Sequence, residues 1–123
     1  MSSLRHITPV RVLIAGALVF AGVEIVKLAR ERPVAVAVRV ACSSDRRDAI
    51  RVLFVGNSHT FVNDLPGALC GLGAASTPPV PLDVTEAVAG GYSLADHLRD
   101  GTAARLIDEG RWDWVVLQEQ SLQ

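Results

Sequence analysis

The stretch Arg51–Pro66, RVLFVGNSHTFVNDLP, decides the reading of the fold. It opens on Arg51 to Val55, a short and nearly unbroken apolar run. Such runs suit a strand buried on both faces, as in a parallel sheet. Gly56-Asn57-Ser58 then makes a turn. Beyond it, Asp64 to Ala75 (DLPGALCGLGAA) reads as a helix, with Asn63 or Asp64 as N-cap and Pro66 in its first turn. Strand, tight turn and helix place Ser58 at the C-terminal end of a strand, where open α/β sheets bind their ligands.

The pattern repeats toward the C-terminus. Ser76 to Pro81 is a loop, and Leu82 to Val88 (LDVTEAV) alternates as a strand that Ala89-Gly90-Gly91 ends. Ser93 starts a helix with Leu94, His97 and Leu98 at helical spacing; Gly101 breaks it, and Thr102 to Glu109 continues until Gly110 stops it. Trp114 to Leu117 (WVVL) reads as a third buried strand. Strands alternating with helices imply a parallel sheet with right-handed crossovers. The expected fold is therefore an α/β, three-layer α/β/α sandwich with a parallel sheet, of flavodoxin-like kind, cut after its third strand. That cut leaves the outer edge of the third strand unpaired and apolar, an invitation to aggregate.

Upstream, the character changes. Arg5 and Arg11 precede the apolar run Val12 to Val23, Glu24 interrupts it, and Lys27, Arg30 and Arg32 close it. A basic start and a short apolar core mark a signal peptide or a membrane anchor over residues 1–32. The run is shorter than the ~20 residues a full span needs. Extending it through Leu28 would put Glu24 in the bilayer, at a cost of a few kcal/mol. Ala35-Val36-Ala37 offers an A-x-A cleavage pattern. A buried amphipathic helix, or a start site placed too far upstream, are the competing readings; the protein would then be cytoplasmic rather than anchored or secreted. Residues 33–50, with the polar SSDRRDAI at their end, read as a linker into a partial domain at 51–123.

Composition narrows the classes. Half of the 123 residues are hydrophobic and 20% are charged, which argues against disorder. Twelve basic and thirteen acidic residues leave no basic excess for a nucleic-acid partner. His6, His59 and His97 have no metal-ligand spacing, so no metal is expected. Cys42 and Cys70 lie far apart without CxxC spacing, and two isolated thiols are the commoner reading. Arg39, where a lipoprotein signal carries an apolar residue, weighs against lipidation of Cys42. Trp112 and Trp114 read as packing residues, and Arg99, Arg105 and Arg111 as solvated charges.

Three segments in order carry a family resemblance: VLFVGNSHTFVNDLP, VAGGYSL and DWVVLQEQS. Together they resemble the SGNH/GDSL-type hydrolases, in a variant reading GNSxT in the first block. The resemblance covers Arg51 to Gln123. It implies that Ser58 is the nucleophile and that its N–H forms part of an oxyanion hole. Gly91 matches the second-block glycine, with Gly90 as the fallback register. Gln120 matches the third-block asparagine, a longer amide in its place, with Gln118 as the other candidate. Gly56 and Asn57 shape the turn, Asn57 standing where the family usually has aspartate. The implied substrate is an acyl ester on a carbohydrate, lipid or small molecule, with no cofactor.

The family's base and orienting acid, Asp-x-x-His, do not occur in this sequence. Serine is a weak nucleophile without an adjacent base. The expectation is the N-terminal portion of a serine esterase, inactive alone, with little role for His59 or His97 as base. The alternative is a non-catalytic, membrane-anchored α/β binding domain.

Overall fold

The computed structural model describes residues 34–120. The elements are β1 (Ala37–Cys42), β2 (Ile50–Gly56), α1 (Ser58–Phe61), α2 (Leu65–Ala75), β3 (Leu82–Val88), α3 (Leu94–Asp100), α4 (Thr102–Glu109) and β4 (Trp114–Leu117). The strands form one sheet in the order β1-β3-β2-β4.

The sheet corrects the expected fold class. It is mixed, not parallel: β2 runs parallel to β3 and to β4, but β1 runs antiparallel to β3. It also has four strands, because Ala37–Cys42, inside the stretch read as a linker, is β1. The geometry of the connection explains the direction. Seven residues separate Cys42 from Ile50. A parallel crossover takes a dozen or more, so a short link that passes one intervening strand must leave and re-enter at the same end of the sheet. The burial of β1 explains why its sequence hides it. Its four central residues are exposed, as on an edge, so no apolar run announces it. The expected N-terminal hydrophobic helix lies outside the described residues. Among those described, no helix is long and apolar enough to cross a membrane.

Each face of the sheet packs a separate core. On one, Val52, Phe54 and Val84 meet Leu69, Cys70 and Leu82, which brings in α2. On the other, Leu53, Val55, Ala87 and Ala103 gather Leu94, Leu106 and Trp112, bringing in α3 and α4. Alternate residues of β2 thus serve opposite cores, which is why it reads as a continuous apolar run. Leu53 and Val84 are fully buried. Burying a side chain of this size stabilises a fold by about 1.5–3 kcal/mol. Trp112 fits the packing reading, and its Nε1 donates to the Leu106 carbonyl at 2.7 Å. Trp114 does not; it is 66% exposed on β4.

A disulfide joins Cys42, at the end of β1, to Cys70 in α2, with Cα atoms 6.2 Å apart. This corrects the reading of two isolated thiols. Spacing along the chain does not reveal the pair, because the register of β1 on β3 is what brings Cys42 over α2.

Local chemistry fixes the helix starts that frame the site. Asp64 caps α2, its Oδ1 accepting from the Gly67 N–H at 3.1 Å. Ser93 and Asp96 form a capping box at α3: the Ser93 hydroxyl accepts from the Asp96 N–H, and Asp96 Oδ2 accepts from the Ser93 N–H at 2.9 Å. The Ser93 hydroxyl and N–H, ahead of the Arg99 charge, hold the Asp96 carboxyl below its ordinary pKa. The ionised form is favoured in the fold, so this contribution is present at neutral pH and is lost as pH falls through the lowered value. Ser93→Ala is expected to return the Asp96 pKa toward its ordinary value. A carboxyl-carbon NMR titration of both proteins checks this, and an unmoved midpoint would contradict it.

Candidate active site

Three strand ends meet here: Gly56 at the end of β2, residues 89–93 after β3, and residues 118–120 after β4. The turn after β2 begins with a glycine because space demands it. A Cβ on Gly56 would lie 2.2 Å from Thr60 Oγ1 and 2.9 Å from Gln118 Oε1.

Asn57 is the hub. It is fully buried. Its Oδ1 accepts from the His59 N–H at 3.1 Å, capping α1. Its Nδ2 donates to the Tyr92 carbonyl at 2.8 Å and to Gln120 Oε1 at 2.7 Å. Its backbone N–H donates to Gln118 Oε1 at 3.1 Å, which also accepts from the Thr60 hydroxyl. One side chain therefore ties the β2 turn to the ends of both neighbouring strands. The turn-shaping role inferred for Asn57 is reciprocal, since it also holds the other two blocks in place.

Ser58 is the first residue of α1 and is half-buried. Among the described residues its hydroxyl has no hydrogen-bond partner, and its N–H donates to nothing. Gly91 sits at φ +75, a conformation that favours glycine. The Tyr92 N–H closes that turn onto the Ala89 carbonyl at 3.3 Å, and the Gly91 N–H has no acceptor among the described residues. Gly90 is not among the glycines at positive φ, and a Cβ on it would lie 4.0 Å from Phe61 Cζ.

The two glutamines divide the work. Gln118 Oε1 accepts twice and its Nε2 donates to the Glu119 carbonyl, so Gln118 is committed to holding the turn. Gln120 gives its oxygen to Asn57, and its Nε2 has no partner among the described residues. Glu119 Oε1 accepts from the N–H groups of Leu94 and Gln120, joining the β4 end to the start of α3.

Neither histidine hydrogen-bonds the Ser58 hydroxyl. His59 is exposed. His97 is buried, with Nε2 2.8 Å from the Gly56 carbonyl. The carbonyl can only accept, so Nε2 carries the hydrogen, and the buried Nδ1 has no partner among the described residues. The Tyr92 ring meets the imidazole edge-on, with centroids 5.2 Å apart. His97 thus props the backbone one residue ahead of Asn57. Its helical spacing with Leu94 and Leu98 left a surface or a packing position open and did not show this bond. Among the described residues no cluster of His, Cys, Asp or Glu is arranged to hold a metal ion.

No family model matches the chain, and no curated protein or solved structure matches it at a significant level. The functional reading rests on the geometry and the motif resemblance.

Proposed function

We propose that residues 51–120 carry the nucleophile turn and oxyanion donors of a serine ester hydrolase similar to the SGNH/GDSL type. The observation that carries this reading is the buried Asn57 hub. It gathers the three motif segments around a serine whose hydroxyl and N–H are both uncommitted. Ser58 Oγ would attack an ester carbonyl. The N–H groups of Ser58 and Gly91 and the Gln120 amide would donate to the developing oxyanion. The base that takes the serine proton and returns it to the leaving alcohol is the Asp-x-x-His pair that the resemblance implies, and the described residues do not supply it. The substrate is an acyl ester on a carbohydrate or lipid. The Cys42–Cys70 disulfide supports an exported protein, because thiols stay reduced in the cytosol.

The uncommitted Ser58 hydroxyl also favours a second reading, a binding domain with no chemistry. Acylation separates the two. An oxyanion hole without its triad still accelerates acyl transfer by about 10³–10⁴ over water. With p-nitrophenyl acetate, mass spectrometry of peptides is expected to show Ser58 acetylated at least about tenfold faster than Ser44 or Ser76 of the same chain. Equal rates at the three serines would defeat the hydrolase reading and leave the binding domain.

A further inference from the structure

The peptide between Gly56 and Asn57 is gripped from three elements. Its carbonyl accepts from the Ala89 N–H at 3.2 Å, which extends the pairing of β2 with β3. The same carbonyl lies 2.8 Å from His97 Nε2, which reaches it from α3. Its N–H donates to Gln118 Oε1, beyond the end of β4. A carbonyl oxygen has two lone pairs, so it accommodates both donors. The Ala89 bond alone would satisfy it. The imidazole is therefore not needed to keep a buried acceptor paired. It is nonetheless 2% exposed, and its Nδ1 is buried with no partner among the described residues. Burying a polar atom without a partner is costly. An apolar side chain at this position of α3 would avoid that cost. What the ring adds is a second direction of hold on one peptide plane.

We propose that His97 is a positioning residue for the two backbone oxyanion donors, its neutral imidazole donating from Nε2; this rests on the hydrolase reading. The path to Ser58 is short. The Asn57 side chain is held by Tyr92, Gln120 and the His59 N–H. The Asn57 carbonyl accepts from the Thr60 N–H at 2.9 Å. That carbonyl shares a planar peptide with the Ser58 N–H, which points the opposite way, out of the start of α1. With Ala89 as its only donor, the Gly56 carbonyl could tilt about that bond, and the whole turn would tilt with it. The second donor removes that freedom. The path to Gly91 runs through its neighbour Tyr92. The Tyr92 ring meets the imidazole edge-on at 5.2 Å between centroids, and its carbonyl accepts from Asn57 Nδ2. His97, Tyr92, Asn57 and Gly56 therefore close a circuit that joins the first motif segment to the second. Small misplacements of reacting groups have large kinetic effects: about 1 Å can cost about a hundredfold in rate.

Three variants of the full chain test this. The amide nitrogen of glutamine stands as many bonds from the backbone as the imidazole Nε2, so His97→Gln can still donate to Gly56. Asparagine is one bond shorter, and leucine has no donor. The readout is acetylation by p-nitrophenyl acetate, taken as the rate at Ser58 over that at Ser76. This ratio is expected to fall about tenfold in His97→Leu and His97→Asn, and to return to within about threefold of wild type in His97→Gln. An equal loss in all three variants would mark a merely structural histidine and overturn the proposal. So would an unchanged ratio in His97→Leu. Proton–nitrogen correlation spectra of the wild-type ring are expected to place the hydrogen of His97 on Nε2. A hydrogen on Nδ1 alone would overturn the proposal, whether or not any variant folds. If wild-type Ser58 is acetylated no faster than Ser76, the hydrolase reading fails instead. The Ser58 and Gly91 amide resonances then decide the positioning: shifted in His97→Asn and restored in His97→Gln if it holds, unmoved in both if it does not.

Discussion

Replacing Cys42 and Cys70 with alanine is expected to cost about 3.5 kcal/mol of stability. The bond closes a loop across a sequence separation of 28. The chain-entropy relation for a loop of that length gives about 3.5 kcal/mol at 25 °C. For a domain of this size each kcal/mol shifts the melting temperature by about 4–8 °C, so the midpoint should fall by about 15–25 °C. The structural context points the same way. The bond ties β1, whose four central residues are exposed, to α2, and the strand ladder of β1 is with β3. Thermal unfolding followed by far-UV circular dichroism, with and without the pair, measures the effect. A fall under about 4 °C would mean that the sheet holds β1 without help.

Asn57→Ala is expected to cost about 3 kcal/mol or more. It removes three part-buried hydrogen bonds, to the Tyr92 carbonyl, to Gln120 Oε1 and from the His59 N–H, each worth about 0.5–1.5 kcal/mol. Asn57→Asp, the residue usual in the resembling family, is the sharper variant. Its carboxylate can still accept from the His59 N–H. Gln120 can turn its amide over and donate, but the Tyr92 carbonyl cannot. An ionised carboxylate would face that carbonyl in a buried site, so its pKa should rise in the folded state. A raised pKa means that stability is retained at low pH and lost as pH rises through that value. Urea unfolding across pH 4–8 should show the variant losing ground to the wild type as pH increases. Parallel curves at all pH would show that the hub tolerates a carboxylate.

The strands β2 and β3 and the helices α2 to α4 were legible in local pattern, whereas β4, read as a buried strand, has all four residues exposed and α1 was read as part of a turn. Residues 52–55 are apolar because they serve two cores, and Gly101 and Gly110 mark the breaks in the helical pattern. The direction and neighbours of the strands were not legible in the same way. The mixed sheet depends on β1, whose alternation is short and whose side chains face solvent, beside a segment that reads as a leader. The disulfide depends on where β1 docks. The candidate site divides likewise. Ser58, Gly91 and Gln120 stand out because motif segments mark them. The reach of Asn57 to Tyr92 and Gln120, and the His97 bond to Gly56, exist only once strands distant in sequence lie side by side. The same holds for the division between Gln118 and Gln120, which differ by two positions and by a whole set of partners.

The Cys42–Cys70 bond has a topological consequence as well. It closes a covalent ring containing all of β2, the Asn57 hub and Ser58. The exposed Arg46 and Arg47 also lie within it. A protease that cuts at those arginines opens the ring but severs nothing, and the two pieces remain one molecule until reduced. A cut after Ala37, outside the ring, releases what precedes it and leaves the ring whole. Processing at the N-terminal side and damage in the exposed loop therefore have opposite outcomes, and the serine stays covalently attached to its scaffold through both.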